Sequence, residues 1–155
     1  MGEIAIRSAA NIAAYWGDQI ATDDLMTSDH FIRTGDIGYL DEDAYLFIVD
    51  RKKDIIIRGG ENISAAEVEA EFYACRAVAE VSVFGAPDER LGEVPVAVVH
   101  LKDGEPLSED ELRTFVEGRI AKFKIPERIV FAEKPLPRLG TGKFDRRALK
   151  AQFAL

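Results

Sequence analysis

The sequence has few of the residues on which small redox and metal proteins depend. It contains one cysteine and two histidines, so neither an internal disulfide nor a thiolate metal site can form. Cys75 lies among helix-forming residues and is interpreted as a small buried hydrophobe. His30 and His100 lie far apart in the sequence without neighbouring ligand pairs, so neither is predicted to bind a metal or to act in catalysis.

Long apolar runs and an excess of positive charge are also absent. No apolar run reaches the length of about 18 residues that suggests a membrane-spanning helix. The opening residues lack the basic stretch and apolar core of a secretory signal, so the sequence predicts a cytoplasmic protein. The formal net charge is -8, which argues against a general nucleic-acid surface because phosphate binding draws on clustered Lys and Arg.

What is present is typical of a globular protein with both strands and helices. Hydrophobic residues make up 47% of the chain and charged residues 31%, which is ordinary for a folded domain. Ser64 with Glu67, and Ser108 with Glu111, match the capping box that begins a helix. A third helix is predicted over 145–153, and strands are predicted over 37–40, 45–49, 55–58, 78–84, 94–101 and 128–131. The link between the strands at 78–84 and 94–101 contains no helix, so an antiparallel or mixed α+β sheet is predicted.

Two short motifs suggest chemistry but are weak alone. Thr34-Gly35-Asp36 is a turn tripeptide by composition. Gly140-Thr141-Gly142-Lys143 is not a Walker phosphate loop, because Pro137 stands where its first glycine should be and Phe144 where its Ser or Thr should be. What remains there is a glycine-flanked loop that presents a lysine either to an anionic ligand or to solvent.

The order of the motifs is more informative than any one of them. Five segments occur in sequence: 31–36, 41–43, 50–54, 59–63 and 137–143. Together they resemble the adenylate-forming superfamily, in which a carboxylate is activated by ATP. The Gly-Gly-Glu-Asn-Ile form at 59–63 is more similar to acyl-CoA synthetases than to amino-acid-activating domains.

The resemblance implies an arrangement of domains and a partner. Residues 54–155 would be the small α+β lid at the carboxyl terminus, residues 51–53 a hinge, and residues 1–50 the trailing β-rich edge of a large N-terminal domain. That large domain carries the acyl pocket and the Ser/Thr/Gly-rich ATP loop, and no such loop occurs in this sequence. The chain is therefore expected to need the N-terminal adenylation domain of the same protein and to be inactive alone.

The resemblance also assigns roles in the adenylation step. Asp36 would accept hydrogen bonds from the ribose of ATP, and Arg51 would make a second ribose or phosphate contact. A surface pair of Arg51 with Asp50 or Asp54 is the structural alternative. Lys143 would be the catalytic lysine that meets the carboxylate and the α-phosphate, Mg²⁺ would screen pyrophosphate, and Lys53 would be the hinge residue.

A second group of residues is implied for the transfer of the acyl group to CoA. The pantetheine tunnel would be bordered by Gly59, Gly60, Glu61 and Asn62, and the CoA phosphates would meet Lys124, Arg128 and Arg138. Two positions depart from the family pattern: Ala44 replaces a hairpin glycine, which puts a turn with positive φ in doubt, and Arg58 replaces a small residue beside the tunnel.

Two other functions are compatible with the sequence. One is a non-catalytic module that holds CoA or a protein partner on the same fold. The other is an adenylation domain that loads a carrier protein, although the Asp-Ser-Leu context of a phosphopantetheine attachment site does not occur in the chain. The acyl substrate is not specified, because the pocket that selects it would lie in the large domain.

Overall fold

A computed structural model describes residues 1–153, which form two compact units. The first unit is Met1–Lys53, and the second begins at Asp54. No helix within residues 1–153 is long and apolar enough to cross a membrane.

The first unit is a three-stranded antiparallel sheet with one short helix. Its elements are β1 (Gly2–Ile6), α1 (Gln19–Leu25), β2 (Ile32–Leu40) and β3 (Leu46–Arg51), and the strand order is β1-β2-β3. The sequence predicted parts of β2 and β3 but missed β1 and α1. Helix α1 spans only 7 residues, and its Ile20 is 78% exposed, so the helix has no apolar stripe from which it could have been predicted.

The turn between β2 and β3 is held by one aspartate. Asp41 Oδ1 accepts hydrogen bonds from the backbone N–H of Asp43, at 3.0 Å, and of Tyr45, at 2.8 Å. Ala44 has a φ of 64°, so the left-handed conformation is kept although the residue carries a side chain. An alanine there costs about 1 kcal/mol relative to glycine, and the aspartate bonds offset that strain.

Over residues 54–153 the second unit has a mixed five-stranded sheet with three α-helices, which confirms the predicted α+β class. The strands are β4 (Ile55–Arg58), β5 (Glu61–Ser64), β6 (Val78–Asp88), β7 (Gly92–Leu101) and β8 (Arg128–Phe131), and the helices are α2 (Ala65–Tyr73), α3 (Glu109–Glu117) and α4 (Arg146–Gln152). The order is β5-β4-β7-β6, and β8 pairs with β7 in parallel while the other pairs are antiparallel. Strand β5 was not predicted.

The two predicted helix starts are present, and their caps differ. At α3 the Ser108 hydroxyl accepts from the Glu111 backbone at 3.3 Å, and Glu111 accepts from the Ser108 backbone at 2.9 Å, so the capping box is complete. The backbone N–H and the hydroxyl of Ser108 both donate to the Glu111 carboxylate and hold the pKa of Glu111 below its ordinary value. At α2 the Ser64 hydroxyl accepts from the Glu67 backbone at 3.1 Å, while the Glu67 carboxylate pairs with Lys124.

The sheet of the second unit separates two apolar cores. Alternate residues of β7 face opposite sides of a sheet: Ala97 and Val99 belong to one core, and Val96 and Val98 to the other. Helices α2 and α3 close the first core with Val68, Phe72, Leu112 and Val116, all with no exposed surface. Leu149 of α4 closes the second core. The loop before α4 is therefore fixed to a rigid sheet at its far end.

Candidate functional site

Asp36 and Arg51 form an ion pair across the first unit's sheet. They lie opposite each other in the register of β2 and β3, and Arg51 Nε is 2.9 Å from Asp36 Oδ1. The Arg51 side chain is 46% exposed and that of Asp36 29%, so both remain accessible to a ligand. The two residues implied to contact the nucleotide are thus brought together, and the guanidinium pairs with Asp36 rather than with Asp50 or Asp54.

The backbone beside this pair is shaped by the turn tripeptide. The Arg51 guanidinium donates from NH2 to the Thr34 carbonyl at 3.2 Å, and the Asp36 N–H donates to the Thr34 hydroxyl at 3.1 Å. Gly35 has a φ of 72°, and a Cβ there would lie 3.3 Å from Arg51 NH2. Glycine at 35 therefore permits both the turn and the close approach of the guanidinium.

An open cleft of about 500 Å³ adjoins this backbone in the same unit. Glu3, Arg33, Thr34, Gly35 and Lys52 are among the residues that line it. Lys52 Nζ lies 2.9 Å from Glu3 Oε2, and this hydrogen bond holds the pKa of Glu3 below its ordinary value. Next along the chain, the exposed Lys53 is the last residue of the first unit, within the 3₁₀ turn Lys52–Asp54.

In the second unit, Gly59 and Gly60 form the two-residue turn of the β4-β5 hairpin. Their φ values are 58° and 91°, and left-handed backbone at both positions is the type I′ turn that matches the twist of a hairpin. A Cβ on Gly59 would lie 3.1 Å from Leu91 Cδ2, whereas nothing lies within 4 Å of a Cβ on Gly60. Glu61 and Asn62 follow on β5 and are exposed.

Arg58, just before this turn, is directed away from it. Its NH2 pairs with Glu127 Oε1, and its NH1 donates to the Phe123 carbonyl at 3.3 Å. Arg58 Nε is buried and makes no hydrogen bond within the described part of the chain. The Glu127 carboxylate balances the charge of Arg58, and the pair fastens the glycine turn to the segment that precedes β8.

The three cations considered for the CoA phosphates differ in their contacts. Lys124 Nζ contacts both carboxylate oxygens of Glu67, and its side chain is only 20% exposed. Arg138 pairs with Glu80. Arg128 is exposed, and within residues 1–153 its side chain makes no hydrogen bond or ion pair.

Lys143 is exposed on a tight loop that precedes α4. The Gly142 N–H donates to the Leu139 carbonyl at 2.9 Å, and the Leu139 N–H donates to the Lys143 carbonyl at 2.8 Å. The lysine side chain has no partner in the described chain, so its ammonium is available to a ligand. The loop is joined to β6 through Arg138, whereas the glycine turn is joined to the segment before β8. The second unit therefore carries these two groups at different attachment points.

Sequence reasoning missed a charged junction just after this loop. Arg146 NH1 lies 2.7 Å from Asp54 Oδ1, and Arg146 NH2 lies 3.0 Å from Glu69 Oε1. The same Glu69 oxygen accepts the Val83 N–H of β6 at 2.8 Å. Burial alone would lower the pKa of Arg146, but the carboxylates of Glu69 and Asp54 raise it. The motif ending at residue 143 stops short of this arginine, so no pattern pointed to it.

Residues 1–153 contain no group of three or more His, Cys, Asp or Glu side chains that could hold a metal ion. A divalent cation prefers several oxygen ligands at close range. Most of the carboxylates described above are instead paired with Arg or Lys side chains, and Asp41 and Glu111 accept hydrogen bonds from backbone groups and from Ser108. The side chains of residues 1–153 therefore do not fit a resident Mg²⁺ site.

Comparison with known proteins gives one family. Residues 67–143 match the AMP-binding enzyme C-terminal domain. The chain is 40% identical over 153 residues to the long-chain-fatty-acid–CoA ligase FadD13 of Mycobacterium tuberculosis, covering 99% of this chain and 30% of that protein. It is 42% identical over 152 residues to the mitochondrial medium-chain acyl-CoA ligase ACSF2 of Bos taurus, covering 98% of this chain and 25% of that protein.

Solved structures agree with these relatives. ATP-bound MatB from Rhodopseudomonas palustris matches with a TM-score of 0.88 and 33% identity, over 98% of this chain and 30% of that one. The o-succinylbenzoate CoA synthetase MenE of Bacillus subtilis, in complex with its acyl-adenylate intermediate, matches with a TM-score of 0.85 and 38% identity, over 96% and 30%. The chain thus spans less than a third of the length of these relatives.

Proposed function

Because the chain belongs to the AMP-binding enzyme C-terminal domain family, we propose that it serves in an ATP-dependent acyl-CoA synthetase. In the proposed reaction a carboxylate attacks the α-phosphate of ATP and pyrophosphate leaves, and the CoA thiol then displaces AMP from the acyl adenylate. The observation that carries the proposal is the Asp36–Arg51 pair at 2.9 Å, in a chain that an acyl-CoA ligase matches over 99% of its length.

The first unit would supply the nucleotide contact. An ionised carboxylate only accepts hydrogen bonds, which suits Asp36 to the two hydroxyl donors of a ribose. Arg51 would orient that carboxylate, and its remaining N–H groups would reach a ribose or phosphate oxygen. The cleft beside Thr34 and Gly35 offers space next to the pair.

The second unit would supply Lys143 to the adenylation step. The attacking carboxylate and the α-phosphate are both anionic and repel each other. A lysine ammonium between them orients both groups and stabilises the transition state more than either reactant. The exposed position of Lys143 and its lack of a partner within residues 1–153 support this role.

The same unit would serve CoA after a rotation about the hinge at Lys53. The Gly59-Gly60 turn would then border the pantetheine arm, because the absence of side chains lets a slender ligand pass close to the backbone. Glu61 and Asn62, exposed on β5, would line the same path. Of the cations, Arg128 is the strongest candidate for a CoA phosphate, because Lys124 and Arg138 already pair with carboxylates.

The first unit would also pack against an N-terminal adenylation domain of the same protein. Its sheet exposes large apolar side chains on β2 and β3, with Leu40 63% and Ile48 65% exposed. Contiguous exposed apolar surface of this kind marks an interaction site. The cytoplasmic location stays a prediction, and the relative ACSF2 is named as mitochondrial.

Mg²⁺ is proposed only as a companion of ATP. A MenE structure of Bacillus subtilis contains ATP and a magnesium ion, and such an ion would screen the charge of the leaving pyrophosphate. Since the side chains of residues 1–153 do not fit a resident site, the ligands of that ion would come from ATP, water and the rest of the enzyme.

The test is ATP–pyrophosphate exchange in the enzyme that carries this chain. Asp36→Asn removes the charge but keeps the shape, so exchange should fall and the KM for ATP should rise. Asp43→Asn changes an exposed acid of the same unit and is the matched control. The 155-residue chain alone should show no exchange. Exchange by the isolated chain, or an Asp36→Asn enzyme that behaves like the control, would refute the proposal.

A further inference from the structure

The loop that presents Lys143 is closed by two backbone hydrogen bonds, from the Gly142 N–H to the Leu139 carbonyl and from the Leu139 N–H to the Lys143 carbonyl. Gly142 has a φ of 83°, and nothing lies within 4 Å of a Cβ built on Gly140 or Gly142. The loop therefore packs against no neighbouring surface at its glycines. Glycine also leaves a loop more conformational freedom than any other residue. Side-chain contacts are therefore needed to hold this loop, and with it Lys143, against the rest of the unit.

Arg138 contacts the loop on both sides of Lys143. Its NH1 donates to the Gly142 carbonyl at 2.8 Å, and its guanidinium carbon lies 4.2 Å above the ring centroid of Phe144. One planar group thus holds the residue before the lysine by a hydrogen bond and the residue after it by stacking.

Arg138 is itself fixed to the sheet by Glu80 of β6. Arg138 NH2 lies 2.8 Å from Glu80 Oε1, and Glu80 Oε2 accepts the Leu136 N–H at 2.6 Å. Partial burial would raise the pKa of Glu80, but the bonds from Arg138 and Leu136 lower it, and the net shift is downward. Both oxygens of the Glu80 carboxylate accept hydrogen bonds, so the Glu80–Arg138 pair connects the loop to strand β6.

We propose that Glu80 and Arg138 are positioning residues that hold the Lys143 loop on β6. The consequence for catalysis rests on the proposed function, because it requires Lys143 to act in adenylation. This assignment competes directly with a CoA-phosphate role for Arg138. A positioning residue affects the step that Lys143 serves, whereas a phosphate contact affects the CoA step.

The first experiment measures the loop without any reaction. Amide hydrogen exchange of Gly142 and Leu139 is followed in the 155-residue chain, because both N–H groups bond within the loop. Arg138→Ala should raise their exchange about tenfold, and Arg138→Lys should raise it less. The control is Glu71→Gln, which breaks the Glu71–Arg119 pair elsewhere in the unit and should leave both amides unchanged.

The second experiment measures the half-reactions in the enzyme that carries this chain. Arg138→Ala and Glu80→Gln should each slow single-turnover adenylation by about tenfold to a hundredfold, the scale of misplacing one group by about 1 Å. CoA transfer from supplied acyl adenylate should stay near the rate of the Glu71→Gln control. The exchange variant Glu80→Arg with Arg138→Glu restores the ion pair but leaves the Gly142 carbonyl without a donor, so adenylation should stay slow.

The outcomes test the loop assignment and the proposed function separately. Unchanged amide exchange in Arg138→Ala, full recovery of adenylation in the exchange variant, or a larger loss in CoA transfer than in adenylation would each overturn the inference. If the Gly142 and Leu139 amides exchange faster in Arg138→Ala but Lys143→Ala leaves adenylation intact, Arg138 positions the loop as proposed. The proposed role of Lys143 in adenylation is then wrong.

Discussion

Gly60 gives the sharpest test of the glycine turn, because folding and obstruction can be separated there. Its φ of 91° is unfavourable for any residue with a Cβ, and nothing lies within 4 Å of a Cβ built there. Gly60→Ala and Gly60→Leu should therefore cost the fold about the same, roughly 1–2 kcal/mol of left-handed strain. Gly59 offers no such comparison, because Leu91 lies 3.1 Å from its Cβ position.

The two variants should differ in the reaction. Alanine adds one methyl group to the turn, whereas leucine adds a branched side chain where the pantetheine arm is proposed to pass. CoA transfer from supplied acyl adenylate should be near normal in Gly60→Ala and about a hundredfold slower in Gly60→Leu, the scale of displacing a reacting group by about 1 Å. Adenylation should be equal in both variants, since neither change touches the carboxylate or the α-phosphate.

Single-turnover assays of the two half-reactions supply the rates. Amide hydrogen exchange of Ile56 and Ile63, which face each other across β4 and β5, supplies the folding cost. Equal losses of CoA transfer in Gly60→Ala and Gly60→Leu would show that the turn's conformation matters and that no ligand passes there. The tunnel assignment would then be wrong.

Four further predictions concern other parts of the chain. Lys143→Ala should slow adenylation by about 10² to 10³, the loss typical of one preorganised electrostatic contact, and leave CoA transfer intact; equal slowing of both single-turnover rates would make Lys143 a static phosphate contact. Lys53→Pro removes a rotatable φ and should slow whichever half-reaction needs the less stable orientation of the second unit. Wild-type rates in both half-reactions would rule out Lys53 as the hinge. Amide exchange should be slower in β7 than in β3, because β3 belongs to a unit proposed to have lost a packing partner; the reverse order would contradict that proposal. Because the pKa of Glu80 is lowered in the folded chain, its bonds stabilise the loop at pH above the unfolded pKa and are lost as pH falls through the folded pKa. Protection of the Gly142 amide in the wild-type chain should therefore drop at acid pH. If a Glu80→Gln chain loses protection over the same pH range, titration of Glu80 is not the cause.

The sequence predicted the elements that carry strong local patterns. Strands β4 and β8 have the predicted bounds, because each is a short apolar run between clear breaks. Helix α3 begins at its capping box. Strand β5 was missed because Glu61–Ser64 contains only one apolar residue, although two consecutive glycines after a strand also indicate a tight hairpin.

The sequence proposes a set of site residues but does not predict the contacts that those residues make. Resemblance paired Asp36 with Arg51 in function, yet a surface pair of Arg51 with Asp50 or Asp54 stayed an alternative until the register of β2 and β3 was known. The partner of Arg138 lies 58 positions away, beyond the reach of any local pattern. Long-range charge pairing depends on tertiary packing, so the sequence alone did not predict that Lys124 and Arg138 pair with carboxylates.

The ion pairs of Arg146 affect how the second unit folds during synthesis. Its bond to Asp54 joins the first residue of that unit to its last described helix, and its partner Glu69 caps an N–H group of β6. A chain emerging from the ribosome cannot form the two Arg146 bonds until α4 has left the exit tunnel, so Glu69 and the edge of β6 that it caps should stay less protected during synthesis. We expect stalled nascent chains that end before Arg146 to be cleaved by protease in α2 and β6, while chains with α4 outside the tunnel resist. Equal resistance of the two would show that the strand edge closes without the last helix.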